Sequence, residues 1–171
     1  MRSPLPLLLP ATGLALVILG APAGAAIRKG AAVEVSHTAT IHAAPSRVWA
    51  RLCSAEGLGA LGGLVPRTGS APMARVGDHL SGVLAHWNDP GTLVCTCFKA
   101  GRELRASWEP DNGSYLCRVR VVVEAAGTGS RVTLTDTYTD DQAATVDKTA
   151  RESDAEMASR LASFKAMAEK P

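Results

Sequence analysis

Aromatic residues are scarce in this chain of 171 residues: Phe, Trp and Tyr make up 4% of it. Most of any core must therefore come from Ala, Val and Leu. No dense basic stripe is present either. Lys and Arg number 18 against 16 Asp and Glu, mixed along the chain for a net charge of +2, which speaks against nucleic acid as a partner. There is no G-x-S-x-G, no H-E-x-x-H and no glycine-rich phosphate loop between a strand and a helix, so no catalytic motif and no cofactor site is expected. His37 and His42 lie an odd number apart on one strand, as do His79 and His86. Each pair should face opposite ways, which excludes a zinc site. What is present is ordinary for a folded soluble domain: 46% hydrophobic and 20% charged residues.

The N-terminus carries the clearest signal. Arg2 supplies a positive charge, and an apolar stretch follows, densest from Leu14 to Leu19. Small residues then cluster from Ala21 to Ala26, and Ala23-x-Ala25 suits a signal peptidase cutting before Ala26. Residues 1–25 are accordingly expected to be a cleaved signal peptide, 26–32 a short linker and 33–171 one domain. The alternative is a membrane anchor left uncut. Pro4, Pro6, Pro10 and Pro22 interrupt the stretch, and its unbroken run falls short of the ~20 residues a spanning helix needs. Export to the periplasm or beyond, with no membrane span after cleavage, is the expectation. The first cysteine is Cys53, far from any lipoprotein attachment point. In an oxidising compartment Cys53, Cys95, Cys97 and Cys117 could bridge, as Cys97–Cys117 or Cys53–Cys95. The favoured reading is that they are small buried hydrophobes. Cys95 and Cys97 are two apart, so their side chains should share a face.

Glu34 to His42 alternates and is β-rich, a strand. A helix opens near Ala44-Pro45-Ser46 with Ser46 as a candidate cap, and Val48, Trp49, Leu52 and Cys53 as its apolar side. Gly57, Gly59, Gly62 and Gly63 should break it, with a short second helix or a turn where Leu58, Leu61 and Leu64 lie at spacing three. Pro66 to Pro72 reads as a loop. Strands are then expected over 77–87, 92–98, 102–109, 115–124 and 131–139, with turns at Asn88-Asp89-Pro90-Gly91 and Pro110-Asp111-Asn112-Gly113. From about Asp141 to Glu169 no glycine or proline intervenes. Met157, Leu161, Phe164 and Met167 mark an apolar helix face, with Arg151, Asp154, Arg160 and Lys165 toward water. Strands and helices are segregated, which predicts an α+β fold. One antiparallel sheet of six or seven strands needs a cover on one face, and the long C-terminal helix is the element of suitable length.

The run from Thr40 to Trp49, T-I-H-A-A-P-S-R-V-W, resembles the opening of the START-like or SRPBCC superfamily. Val76-Gly77-Asp78-His79-Leu80, Trp87, Pro90-Gly91 and Leu104 to Trp108 resemble its polyketide cyclase/dehydrase branch and the related Hsp90-ATPase-activator homologues. The resemblance implies a helix-grip (Bet v 1-like) fold: a curved sheet wrapped round the C-terminal helix, enclosing a hydrophobic cavity. It also implies a small apolar ligand such as a lipid or polyketide, or, in an enzymatic member, cyclisation, dehydration or hydrolysis. Export excludes a chaperone-activating role. Gly59-Ala60-Leu61-Gly62-Gly63 departs from the aromatic that many relatives carry there.

Within such a cavity, ligand contacts are expected from Trp87, Trp108, Tyr115, Asp136, Tyr138, Met157, Leu161 and Phe164, each of which could equally be plain core. Asp136 falls among Val132, Leu134 and Tyr138 on the inward face. There a carboxylate needs a partner or a proton; at the strand's wet end it would simply bond a neighbour. For catalysis the candidates are Asp136 with Tyr138 or His86. Three functions stay open: a non-catalytic small-molecule binder, a cyclase- or dehydratase-type enzyme, and an interaction domain with a filled interior.

Overall fold

The structure, a computed structural model, describes residues 25–29, 32–113, 116–139 and 143–171, with side chains over 32–113, 116–138 and 152–171. The stretch expected to be a signal peptide, up to Gly24, and Tyr115 lie outside the described residues. Strand β1 (Ala25–Lys29) and β2 (Ala32–Ile41) lead into helices α1 (Pro45–Leu52) and α2 (Ala55–Gly62). Strands β3 (Leu64–Pro66), β4 (His79–Leu84), β5 (Asp89–Lys99), β6 (Glu103–Pro110), β7 (Cys117–Ala126) and β8 (Gly129–Thr139) follow, and helix α3 (Ala143–Glu169) ends the fold.

All strands belong to one curled antiparallel sheet of eight, in the order β1-β2-β8-β7-β6-β5-β4-β3. β1 and β3 are the two short edges beyond the strands expected from sequence. β1 occupies part of the stretch read as a linker: its backbone pairs with β2 from Ala25↔Ser36 to Lys29↔Ala32. On its other side β2 pairs not with β3, the next strand in sequence, but with β8, from Ala32↔Thr139 to Ile41↔Ser130. Alternation then sorts the side chains. Val33, Val35, Leu104, Trp108, Val119, Val121, Val132 and Leu134 turn inward and are buried.

α3 lies across that inner face. Met157, Leu161, Phe164 and Ala168, spaced by four and three, are all buried against the sheet. Its C-terminal end is tied to the β2–α1 corner, where Lys165 Nζ donates to the Thr40 carbonyl (2.6 Å) and the His42 amide to Glu169 Oε1 (2.7 Å). The buried His37 reaches α3 from β2, its Nε2 2.9 Å from Asp154 Oδ1.

Local differences from the sequence reading have physical causes. α1 starts at Pro45, with Ala44 at the N-cap and no side-chain cap; proline's fixed φ suits that first position, so Ser46 falls inside the helix. Of the four glycines, Gly63 ends a helix, as the left-handed C-cap of α2, while α1 stops before any of them, at Leu52. Ser54 caps α2, accepting from the Gly57 amide at 3.0 Å, and Gly57 and Gly59 sit within it. A Cβ on Gly57 would lie 1.9 Å from the Arg51 carbonyl oxygen, so this glycine lets two helices meet at backbone distance. β4 stops at Leu84, leaving Trp87 in the turn beyond it. A β-bulge separates Cys95, opposite Ala106, from Cys97, opposite Arg105. The extra residue sends the two thiols to opposite faces instead of one, and all four cysteines are free thiols.

Candidate functional site

Where α3 crosses β6, β7 and β8, the packing leaves a narrow cavity of about 60 Å³. The sheet supplies Leu93, Trp108, Cys117, Val119, Asp136 and Tyr138 to its wall. Ser153, Glu156 and Arg160 come from α3, Gly62 from the end of α2 and Leu64 from the start of β3. Leu84 and Trp87, at the tip between β4 and β5, stand at the rim; Trp87 is 45% exposed. Trp108 is fixed by its indole N–H, which donates to Asp89 Oδ2 at 3.3 Å.

The floor is polar. Asp136, 3% exposed, faces inward from β8, and the Arg160 guanidinium reaches it from α3. Arg160 Nη2 donates to Asp136 Oδ2, and Nη1 donates to the Gly62 carbonyl at 3.2 Å. Room for the arginine comes from Gly63, which sits at φ +62° as the α2 C-cap. A Cβ there would stand 2.9 Å from both Arg160 Cδ and Glu156 Oε1. The glycine pair that departs from the START-like pattern is thus the slot through which Arg160 passes.

The ion pair is one-armed. Among the described residues, Asp136 Oδ1, Arg160 Nε and the Tyr138 hydroxyl are buried with no hydrogen-bond partner. Ser153 lies beside the phenol but outside hydrogen-bond geometry. Burial, then the Asp136 charge, holds the Tyr138 phenol well above its usual range, so it keeps its proton and can donate. Burial likewise pushes the Cys117 thiol far up, leaving it neutral. Three orphaned polar atoms around one cavity are costly unless water or a ligand group meets them.

Of the residues read from sequence, Trp87, Trp108, Asp136 and Tyr138 meet at this cavity. Met157, Leu161 and Phe164 are core beneath it, not lining. His86 is exposed, stacks edge-on against Trp87 with 4.8 Å between ring centroids, and does not line the cavity. Arg160 corrects the sequence reading: assigned to the wet face, it has a side chain only 13% exposed. The helical spacing held the signal, since Arg160 is three residues from Met157 and four from Phe164. A second, open depression of about 500 Å³ lies over the loop of Arg67 to His79, but Arg67 and Arg75 are there paired with Asp111 and Asp78. No three His, Cys, Asp or Glu side chains gather for a metal among the described residues, nor is any helix there long and apolar enough to cross a membrane.

No family model and no curated protein matches the chain in sequence. Solved structures do match it in shape. A protein from Arthrobacter aurescens is similar at TM-score 0.64 and 16% identity, over 86% of this chain and 92% of its own. CalU16 from Micromonospora echinospora is similar at TM-score 0.59 and 15% identity, over 85% and 87%. Aha1 from Colwellia psychrerythraea is similar at TM-score 0.58 and 15% identity, over 80% and 96%. With the sheet order and the helix laid across it, these likenesses establish that the chain has the START-like, helix-grip fold.

Proposed function

We propose that this chain is an exported binding domain for a small, largely apolar molecule, held between the sheet and α3 with its polar end at Asp136, Tyr138 and Arg160. The observation that carries the reading is a cavity lined by Asp136, Tyr138 and Arg160, three residues that each keep a buried polar atom without a hydrogen-bond partner. Two indoles near that polar floor offer an apolar surface for the remainder of the ligand. A volume of about 60 Å³ is small beside the ~300–1,000 Å³ typical of drug-sized ligands, so the ligand inserts one end and lies along the rim with the rest. Organic extraction and native mass spectrometry of the purified protein test this. A co-purifying small molecule that is lost in an Arg160→Met variant is expected. A ligand-free protein with ordered waters on all three polar atoms in a crystal structure would sink the reading and leave a filled interaction domain.

A cyclase- or dehydratase-type enzyme is the second reading, favoured by Asp136 and Tyr138 lining one cavity. A general acid works best with a pKa near the working pH, and the Tyr138 phenol is pushed away from it. Binding therefore ranks ahead of turnover. Export carries its own test. β1 begins at Ala25, so a cut before Ala26 leaves all but one of its residues in the domain. N-terminal sequencing of the exported chain should begin at Ala26, and an intact N-terminus would refute cleavage.

A further inference from the structure

We propose that Cys53 and Cys95 are the two halves of a disulfide that pins the end of α1 to β5, an oxidation site independent of any ligand in the cavity. The bulge in β5 sets the placement. Cys95 pairs with Ala106 and Phe98 with Leu104, so the extra residue puts Cys95 and Phe98 on the same inner face although they are an odd number apart. From α1, Trp49 packs edge-on against Phe98, with 5.4 Å between ring centroids. Cys53 comes one turn later and keeps helical backbone angles as the C-cap, so it lies on the Trp49 side of the helix. Four helical residues rise about 6 Å, and the two ladder steps from Phe98 to Cys95 span about 6.8 Å. The matched spacing extends the Trp49–Phe98 contact to Cys53 and Cys95. One short segment also ties the two backbones together. The Met73 amide donates to the Cys53 carbonyl at 2.9 Å, the Gly77 amide to the Cys95 carbonyl at 2.9 Å, and the Cys95 amide to the Asp78 carbonyl at 2.8 Å. Burial, then the neighbouring Cys95 thiol, pushes the Cys53 thiol up to about 11.

Other pairings fail on face or distance. Cys97 lies opposite Arg105, on the outer face. Cys117 faces inward but stands on β7, two strands from β5; at ~4.8 Å per strand that is about 9.6 Å, beyond the ~7 Å between Cα atoms that a disulfide spans. Cys117 also lines the cavity, which Cys53 does not. The oxidant is a small disulfide such as oxidised glutathione. The Cys53 thiolate attacks it and expels one glutathione thiolate. The Cys95 thiolate then attacks Cys53 Sγ in the mixed disulfide and expels the second. Each proton lost by a protein thiol goes to a departing glutathione, and two electrons reduce the oxidant. Cys53, half-buried where Cys95 is buried, is the point of entry. Its raised pKa leaves little thiolate once α1 has packed, so the bridge closes fastest while the chain folds.

The test starts from purified protein, reduced, unfolded in urea and refolded with reduced and oxidised glutathione. A second portion is oxidised in the native state at mildly alkaline pH. Remaining thiols are capped with N-ethylmaleimide in urea. A Cys97→Ala variant, altered on the outer face, should become two hydrogen atoms lighter and cap at Cys117 alone, with the tryptic peptides of Cys53 and Cys95 joined. Its melting temperature should rise by several degrees, because the bridge closes a loop over α2, β3 and β4, and fall back with dithiothreitol. A Cys95→Ala variant should cap at Cys53 in full. Capping of both Cys53 and Cys95 in both portions would overturn the proposal. So would a Cys53 held only as a glutathione adduct, a Cys53–Cys97 bridge in Cys95→Ala, or a bridged form that melts no higher than the reduced one.

Discussion

Truncating Arg160 would strand Asp136 as an uncompensated buried charge, because the guanidinium is its one charged partner on the floor of the cavity. Breaking a buried pair from one side costs about 3–5 kcal/mol. Arg160→Met should lower stability by that amount in urea denaturation. Pairing it with Asp136→Leu should recover a large part, since a well-packed apolar pair has no charge to desolvate. A loss under about 1 kcal/mol would mean the pair is better hydrated than its 13% and 4% side-chain exposures imply. On the outer face the balance differs. Glu103 is buried beneath Arg120, Lys99 and Arg105, at 2.7, 2.9 and 2.7 Å. Those three cations hold its carboxyl well below the usual glutamate range. A depressed carboxyl contributes stability that is complete above its unfolded value of about 4.3 and is lost as pH falls below it. The cations are half exposed, so the network contributes on the order of 1 kcal/mol. The stability gap between the protein and Glu103→Gln should be present at neutral pH and close in acid. A constant gap would refute the linkage.

At the scale of elements, Gly63 links α2 to α3. Gly63→Ala combines a positive φ with a Cβ 2.9 Å from Arg160 Cδ and Glu156 Oε1. It should cost about 1–3 kcal/mol and push the guanidinium out of reach of Asp136. A thermal-melt difference of that order, with weakened ligand binding, is the expected outcome; unchanged binding would show that Arg160 has another route. The same junction explains what the sequence did and did not disclose. Long alternating segments such as Cys117–Ala126 were legible because one face of each is uniformly buried. β1 and β3 were not, since edge pairing uses backbone hydrogen bonds and asks little of side-chain pattern. The bulge at Cys95 and Cys97 was hidden for a related reason: one extra residue leaves no mark on composition. Asp136 and Tyr138 stood out because polar groups interrupt an apolar stripe. Arg160 did not, because a cation on a helix is read as wet by its type, while its burial depends on a glycine slot almost a hundred residues away.

For the whole molecule, connectivity governs when the sheet can exist. β2 takes its central partner from β8, so Ser36 bonds to groups 98 and 99 residues further on. A chain ended at Ala126 lacks both β8 and α3, leaving β2 without its partner on that side and the inner face uncovered. It should show no cooperative melt by circular dichroism; a sharp transition would indicate that β3 to β7 fold alone. Closing so long a loop is entropically slow. A ribosome must therefore release nearly the whole polypeptide before the native pairing of β2 with β8 can form. On the proposed export route, through a membrane channel as an extended thread, that delay would be useful. The late partner would keep such a precursor threadable until translocation was under way.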